Sequence, residues 1–128
     1  MFYLLKTEPS EYSIHQLEQE IQCTWDGVKN ALALKHLRNI RTGDQCFIYH
    51  TGQEKQIVGL AEAISNPYLK QSAWVIDVKF VRRYTQTLSL SQMKAQSAFS
   101  PFDLLRLPRL SVMPVPDAIV QEILKRVK

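Results

Sequence analysis

From Ala73 to Arg83 the chain alternates. Trp74, Ile76, Val78 and Phe80 fall on one side of an extended backbone, and Val75, Asp77, Lys79 and Val81 on the other. A period of two sustained over this length belongs to a pleated strand. A helix would repeat its apolar positions every three to four residues. A strand needs neighbours to take its backbone N–H and C=O groups, so the rest of the chain is read for partners. Four further stretches qualify. Phe2–Lys6 reads as a short buried strand. Gln45–His50 follows the turn Arg41-Thr42-Gly43-Asp44, with Cys46, Ile48 and His50 on one face and Phe47 and Tyr49 on the other. Gln56–Ile64 ends at Asn66-Pro67 and carries Gly59 as a bulge or point of close approach. Ser111–Val115 is the last.

Helices are expected between these strands. Ser13-Ile14-His15-Gln16 has the form of a capping box and opens a helix through about Glu20. Val28, Ala31, Leu32 and Leu37 suggest a second, ending near Arg38, with Asp26 as its N-cap. Ser89–Gln96 is a third. Ser100-Pro101-Phe102-Asp103 places a cap, a first-turn proline and an acid in order for a fourth, running to about Leu107. Pro116–Val127 closes the chain, its basic C-terminus complementing the helix dipole. There is no regular βαβ alternation, so the expectation is an α+β, barrel-like sheet of five or so strands with flanking short helices, not a doubly wound sheet.

At 128 residues this is one domain on size grounds, residues 1–128, able to bury roughly two-thirds of its unfolded surface without a metal or disulfide staple. The two cysteines, Cys23 and Cys46, sit in no C-x-x-C and are expected as reduced thiols. No apolar run approaches the ~20 residues of a membrane span, and Lys6 and Glu8 cut the opening apolar stretch short of a secretory segment. A cytoplasmic location without membrane contact is the expectation that follows. The net charge of +4 is uneven: residues 1–64 hold 6 Lys/Arg against 8 Asp/Glu, and residues 65–128 hold 10 against 4. That asymmetry permits a polyanionic partner and does not require one.

The common catalytic and nucleotide-binding motifs are absent: no G-x-S-x-G, H-E-x-x-H, Walker loop or G-x-G-x-x-G. His15, His36 and His50 lack metal-ligand spacing, so neither a metal nor a cofactor is expected. Three stretches do carry possible chemistry. Lys6-Thr7-Glu8-Pro9-Ser10-Glu11-Tyr12 packs charges, hydroxyls and a proline of fixed φ into one turn. Trp25-Asp26-Gly27-Val28-Lys29-Asn30 places a flat apolar face beside backbone donors, although a core tryptophan beside an ordinary cap would read the same. Phe47-Ile48-Tyr49-His50-Thr51 ends a strand in polar tips on aromatic bodies.

Together these stretches resemble the EVE domain, a PUA-like family of the thymocyte nuclear protein type that is related to YTH domains. The resemblance rests on Tyr3-Leu4-Leu5-Lys6-Thr7-Glu8-Pro9-Ser10-Glu11-Tyr12-Ser13-Ile14, on Trp25-Asp26-Gly27-Val28 with Asn30, and on Gly43-Asp44 followed by Phe47-Ile48-Tyr49-His50. It continues through Ile57-Val58-Gly59-Leu60-Ala61-Glu62, Leu105, Arg109-Leu110-Ser111-Val112 and Pro114-Val115. The motifs fall in order along nearly the whole chain. They imply a PUA-like mixed β pseudobarrel of about five to six strands. They also imply a non-catalytic module that reads a modified nucleobase in DNA or RNA: a methylated or hydroxymethylated cytosine, or a methyladenine. Trp25 occupies the position of the YTH-type cage tryptophan. By the same resemblance Asp26, Val28, Asn30 and Ser10 are candidates for reading the base, with Tyr49 and His50 closing a far wall. Lys6, Lys29, Arg82, Arg83, Arg106 and Arg109 are candidates for phosphate contacts, Arg82 and Arg83 being equally readable as a solvated strand end.

The chain departs from the pattern after Val28. Where the family commonly has a Tyr, a Gln and an Arg, this helix carries Ala31, Leu32 and Leu34. No nuclease or helicase is fused within these residues, so any effector protein is expected on a separate chain. Two other readings remain. One is an ASCH-like amidohydrolase of modified nucleosides that uses Lys6 and a carboxylate such as Glu8. The other is a protein-interaction module with a vestigial pocket.

Overall fold

The computed structural model describes residues 1–128. Seven strands form a mixed sheet: β1 (Phe2–Thr7), β2 (Gln22–Trp25), β3 (Gln45–His50), β4 (Gln56–Ala63), β5 (Tyr68–Lys70), β6 (Ala73–Ser89) and β7 (Val112–Val115). Their order is β2-β6-β4-β3-β1-β7, with β5 paired to the start of β6. Only β1 and β3 run parallel; every other pairing is antiparallel. β3 lies between β1 and β4, and Cys46–His50 are buried on both of its faces. The helices are α1 (Ile14–Glu20), α2 (Ala31–Leu37), α3 (Leu90–Lys94), α4 (Asp103–Arg106) and α5 (Asp117–Leu124), with a 3-10 turn at Ser97–Phe99.

Local signals explain several boundaries. Ser13 accepts from Gln16 N at the start of α1 while the Gln16 side chain accepts from Ser13 N; Ser89 and Gln92 form the same box at α3. Gly59 is a close-approach point. A Cβ there would lie 2.5 Å from Ile14 Cδ1 and 2.7 Å from the Arg82 carbonyl oxygen. The β3–β4 and β4–β6 registers both shift beside Gly59, so a bulge and a close contact coincide there.

The fold departs from the sequence expectation in five places. The strand expected to end at Arg83 runs on to Ser89, burying Tyr84 and Leu88. β2 and β5 were not expected. The helix expected to start near Val28 starts at Ala31, and its cap is Asn30, whose Oδ1 accepts from Ala33 N at 3.0 Å; Asp26 caps nothing. Ser100 does not cap α4 either. The N-cap position falls on buried Phe102, with no side-chain cap.

The sheet curls until its two ends meet. Cys23, Thr24 and Trp25 of β2, at one end of the strand order, share a cleft with Lys6 and Thr7 of β1 and with Ser111 just before β7, at the other. This is the pseudobarrel. Its core gathers Leu4, Leu5, Phe47, Ile48, Ile57, Ile76, Leu88 and Phe99, with Leu17, Leu37, Ile119 and Ile123 packed in from the helices.

Candidate functional site

The cleft where the sheet ends meet has a volume of about 430 Å³, within the ~300–1,000 Å³ typical of small-ligand sites. One wall is the β1–α1 connection: Lys6, Thr7, Glu8, Glu11 and Tyr12. The other is β2 and the loop after it: Cys23, Thr24, Trp25, Asp26, Gly27 and Val28. Trp25 is 7% exposed and belongs at once to the core and to the cleft wall. Tyr12 meets it edge to face, with ring centroids 6.1 Å apart at 86°, an arrangement aromatic quadrupoles favour. Tyr12 is fixed in turn by donating to Glu20 Oε1 at 2.8 Å.

The lower parts of both walls are tied down. Thr7 Oγ1 donates to the Tyr12 carbonyl at 2.8 Å, and Thr24 Oγ1 donates to Asp77 Oδ1 at 2.8 Å. Tyr68 OH donates to the same Asp77 oxygen at 2.8 Å, which links β5 to the base of the cleft. Lys6 Nζ donates to the Pro108 carbonyl at 2.9 Å and lies 5.7 Å from the Tyr49 ring centroid. Burial holds its pKa below the usual lysine range. Burial also pushes the Cys23 thiol up, away from thiolate reactivity.

Other polar groups remain uncommitted. The Glu11 and Asp26 carboxylates line the cleft and form no ion pair with any lysine, arginine or histidine. The backbone N–H groups of Asp26, Gly27 and Val28 donate to no protein backbone acceptor. Gly27 takes φ +77° with open space where a Cβ would be, which turns the loop at the rim. The lining carries three carboxylates (Glu8, Glu11 and Asp26) against one ammonium, Lys6. Such a cleft disfavours an anion and suits a flat, neutral ring with both donors and acceptors on its edge.

The structure therefore brings Trp25, Asp26, Val28 and Lys6 together. It places the other expected site residues elsewhere. Asn30 is committed to capping α2. Ser10 is exposed and donates through N and Oγ to Glu8 Oε2. Tyr49 is buried under the Lys6 ammonium and does not line the cleft. His50 is buried between Ile14 N, which donates to Nε2 at 3.1 Å, and Glu54 Oε1, 2.9 Å from Nδ1. It borders a separate cavity with Arg83, so Tyr49 and His50 do not close a far wall. Arg83 pairs with Glu18 at 3.0 Å, Arg106 pairs with Asp103 at 3.5 Å, and Arg82 lies over the Tyr84 ring. Lys29 and Arg109 are exposed. Conversely, sequence reasoning passed over Glu11, Tyr12 and Thr24 as site residues. Glu11 and Tyr12 stand in the first motif stretch, whereas Thr24 lies in the four-residue β2, too short to show a strand period in the sequence. No three His, Cys, Asp or Glu side chains are arranged to hold a metal ion.

Strand order, curl and a cleft at the junction of the sheet ends define a PUA-like domain. Within that class the chain belongs to the EVE domain family, whose model matches residues 1–126. Mouse thymocyte nuclear protein 1 is 29% identical to it over an alignment that covers 73% of this chain and 55% of that protein. The chain thus spans about half the length of such relatives. The crystal structure of protein PSPTO5229 from Pseudomonas syringae superposes with a TM-score of 0.92 at 29% identity, covering 98% of both chains. Human THYN1, solved in complex with 5-methylcytosine-containing DNA, superposes with a TM-score of 0.88 at 24% identity, covering 97% of this chain and 95% of that one.

Proposed function

We propose that this domain is a non-catalytic reader of a modified nucleobase in DNA or RNA, and that the base enters the cleft beside Trp25. The observation that carries the reading is the convergence of Trp25, an unpaired Asp26 carboxylate and the free N–H groups of Asp26–Val28 on one cleft large enough for a heterocycle. Stacking a base on an aromatic contributes ~1–3 kcal/mol and does not depend on sequence. A carboxylate accepts from the exocyclic amine of cytosine, and backbone N–H groups suit its ring acceptors, so a methylated or hydroxymethylated cytosine fits this edge better than thymine. The DNA in the human THYN1 complex supports the same choice. The edge contacts select cytosine over other bases but meet its methylated form identically, so discrimination of the modification rests on the methyl contact itself, worth ~1–3 kcal/mol in a fitted pocket.

The hydrolase reading finds less support. Lys6 and Glu8 both reach the cleft, but the ammonium is bound to the Pro108 carbonyl and the carboxylate to Ser10. No nucleophile and base are mutually oriented there.

The test is binding to short single- and double-stranded DNA and RNA carrying cytosine, 5-methylcytosine, 5-hydroxymethylcytosine or N6-methyladenine, with Trp25→Ala in parallel. Selective binding by the native chain, reduced at least tenfold in Trp25→Ala with folding intact, is the expected result. Equal binding of modified and unmodified strands by both proteins would sink the proposal.

A further inference from the structure

A second groove lies across α2, with a volume of about 600 Å³, lined by Ala31, Leu34, Lys35, Arg38, Arg41 and Trp74 among others. Its charge is opposite to that of the cleft. Lys35, Arg38 and Arg41 are exposed, and none of their side chains pairs with a carboxylate. The nearest acid in the turn, Asp44, takes the Arg41 backbone N–H at 2.8 Å and lies 3.5 Å from the N-terminal amine. The Arg38 guanidinium sits 4.4 Å from the Trp74 ring centroid. Spread on a ring, a guanidinium is held flat by cation–π attraction and still turns its N–H edge outward, the geometry that meets phosphate oxygens. Arg41 Nη1 donates to the Arg38 and Ile40 carbonyls, which fixes it at the C-terminus of α2.

The two features are neighbours. Val28 lines the cleft and Ala31 lines the groove, so at most about 11 Å of chain separates them. An acid-rich cleft accepts a base but not the phosphates attached to it, and those phosphates need cations nearby. We propose that the α2–Trp74 groove, through Lys35, Arg38 and Arg41, holds the phosphodiester backbone of the strand whose base occupies the cleft. It uses none of the cations that the sequence pointed to. The groove's charge complementarity stands without the cleft; only its alignment with the strand rests on the cleft reading.

The test compares the native chain with Lys35→Gln/Arg38→Gln, leaving Arg41 to cap α2. Affinity for a single-stranded oligonucleotide, modified and unmodified, is measured across a salt series. Single strands lose about 0.7 in the log–log salt slope per phosphate contact. The variant is therefore expected to show a slope shallower by about 1.4, weaker binding at low salt and an unchanged modified-to-unmodified ratio. Acetylation footprinting supplies a readout independent of variant folding: bound oligonucleotide protects Lys35 and leaves Lys94 reactive. An unchanged slope together with an unprotected Lys35 overturns the proposal. So does competition by poly-glutamate as strong as by the oligonucleotide, which would assign the groove to acidic polypeptide. Failure of the cleft reading looks different: the slope change persists while the native chain prefers no modification.

Discussion

Ile21 adopts φ +73° and ψ −42° at the end of α1, a region that a β-branched residue enters at a cost of about 1–3 kcal/mol. The surroundings enforce it. Ile21 N donates to the Leu17 carbonyl at 2.8 Å and its own carbonyl accepts from Phe80 N at 2.7 Å, so the residue must end a helix and begin β2 in one step. Its side chain is 68% exposed and recovers little by burial. Ile21→Gly is therefore expected to stabilise the domain by about 1 kcal/mol, the relieved strain outweighing the 0.4–1 kcal/mol that glycine adds to unfolded-chain freedom. A calorimetric Tm a few degrees higher is the sign to look for; a lower one would mean that the isoleucine shapes this turn and is not forced into it. The position matters because four residues later the same strand delivers Trp25 to the cleft.

At the scale of elements, α2 carries the sharpest distinction between a structural and a binding role. Asn30 stands in the motif that suggested base recognition, yet its carboxamide oxygen is taken by Ala33 N. Asn30→Ala is expected to cost about 1 kcal/mol of stability and to leave base selectivity unchanged, with Asn30→Asp recovering the Tm. If instead the alanine variant keeps its Tm and loses binding, Asn30 is a ligand contact. The same segment shows what a sequence can disclose. Asp26 and Asn30 are both good caps, and the choice between them is made by where β2 leaves the sheet, a long-range event. β2 itself, Gln22-Cys23-Thr24-Trp25, is short and pairs with residues more than fifty positions away. β5 has three residues. Neither is long enough to show a period. β6 was legible only as far as its alternation: Arg82-Arg83 interrupts the apolar pattern where the β4–β6 register shifts, although the hydrogen-bonded strand continues. Gly59 was readable because a glycine inside a strand has few other uses.

At the scale of the molecule, the two walls of the cleft were visible as separate motifs, but their meeting was not, because it follows from the curl of the sheet. The β1–α1 connection that forms one of those walls is anchored to β3 by Ile14 N donating to His50, and His50 is backed by Glu54. The hydrogen-bonded carboxylates of this scaffold predict its acid response. The hydrogen bond with His50, aided by Gln56 and the charge of His15, holds the Glu54 carboxyl below its ordinary 4.5, and Arg126 does the same for Glu122. A carboxylate with a lowered folded pKa binds its proton more weakly when native than when unfolded. Its contribution is complete above pH 4.5 and is lost as pH falls through the folded value. Glu54 is 41% exposed, so solvent screening keeps its share small. On the alkaline side the sign reverses. Burial pushes the Cys46 thiol up to about 12, so stability falls once pH rises past the ordinary thiol value of 9. Thermal melts from pH 6 to pH 3 should show the native chain losing Tm more steeply below pH 4.5 than Glu54→Gln/Glu122→Gln, so that the two curves draw together as pH falls. Parallel curves would move the acid sensitivity to other carboxylates. The wild-type melts, extended past pH 9, should decline more steeply than those of Cys46→Ala. Between these limits the barrel, and with it the cleft, is expected to hold its shape, so any pH dependence of base binding from pH 5 to pH 8 would come from the cleft and its ligand rather than from unfolding.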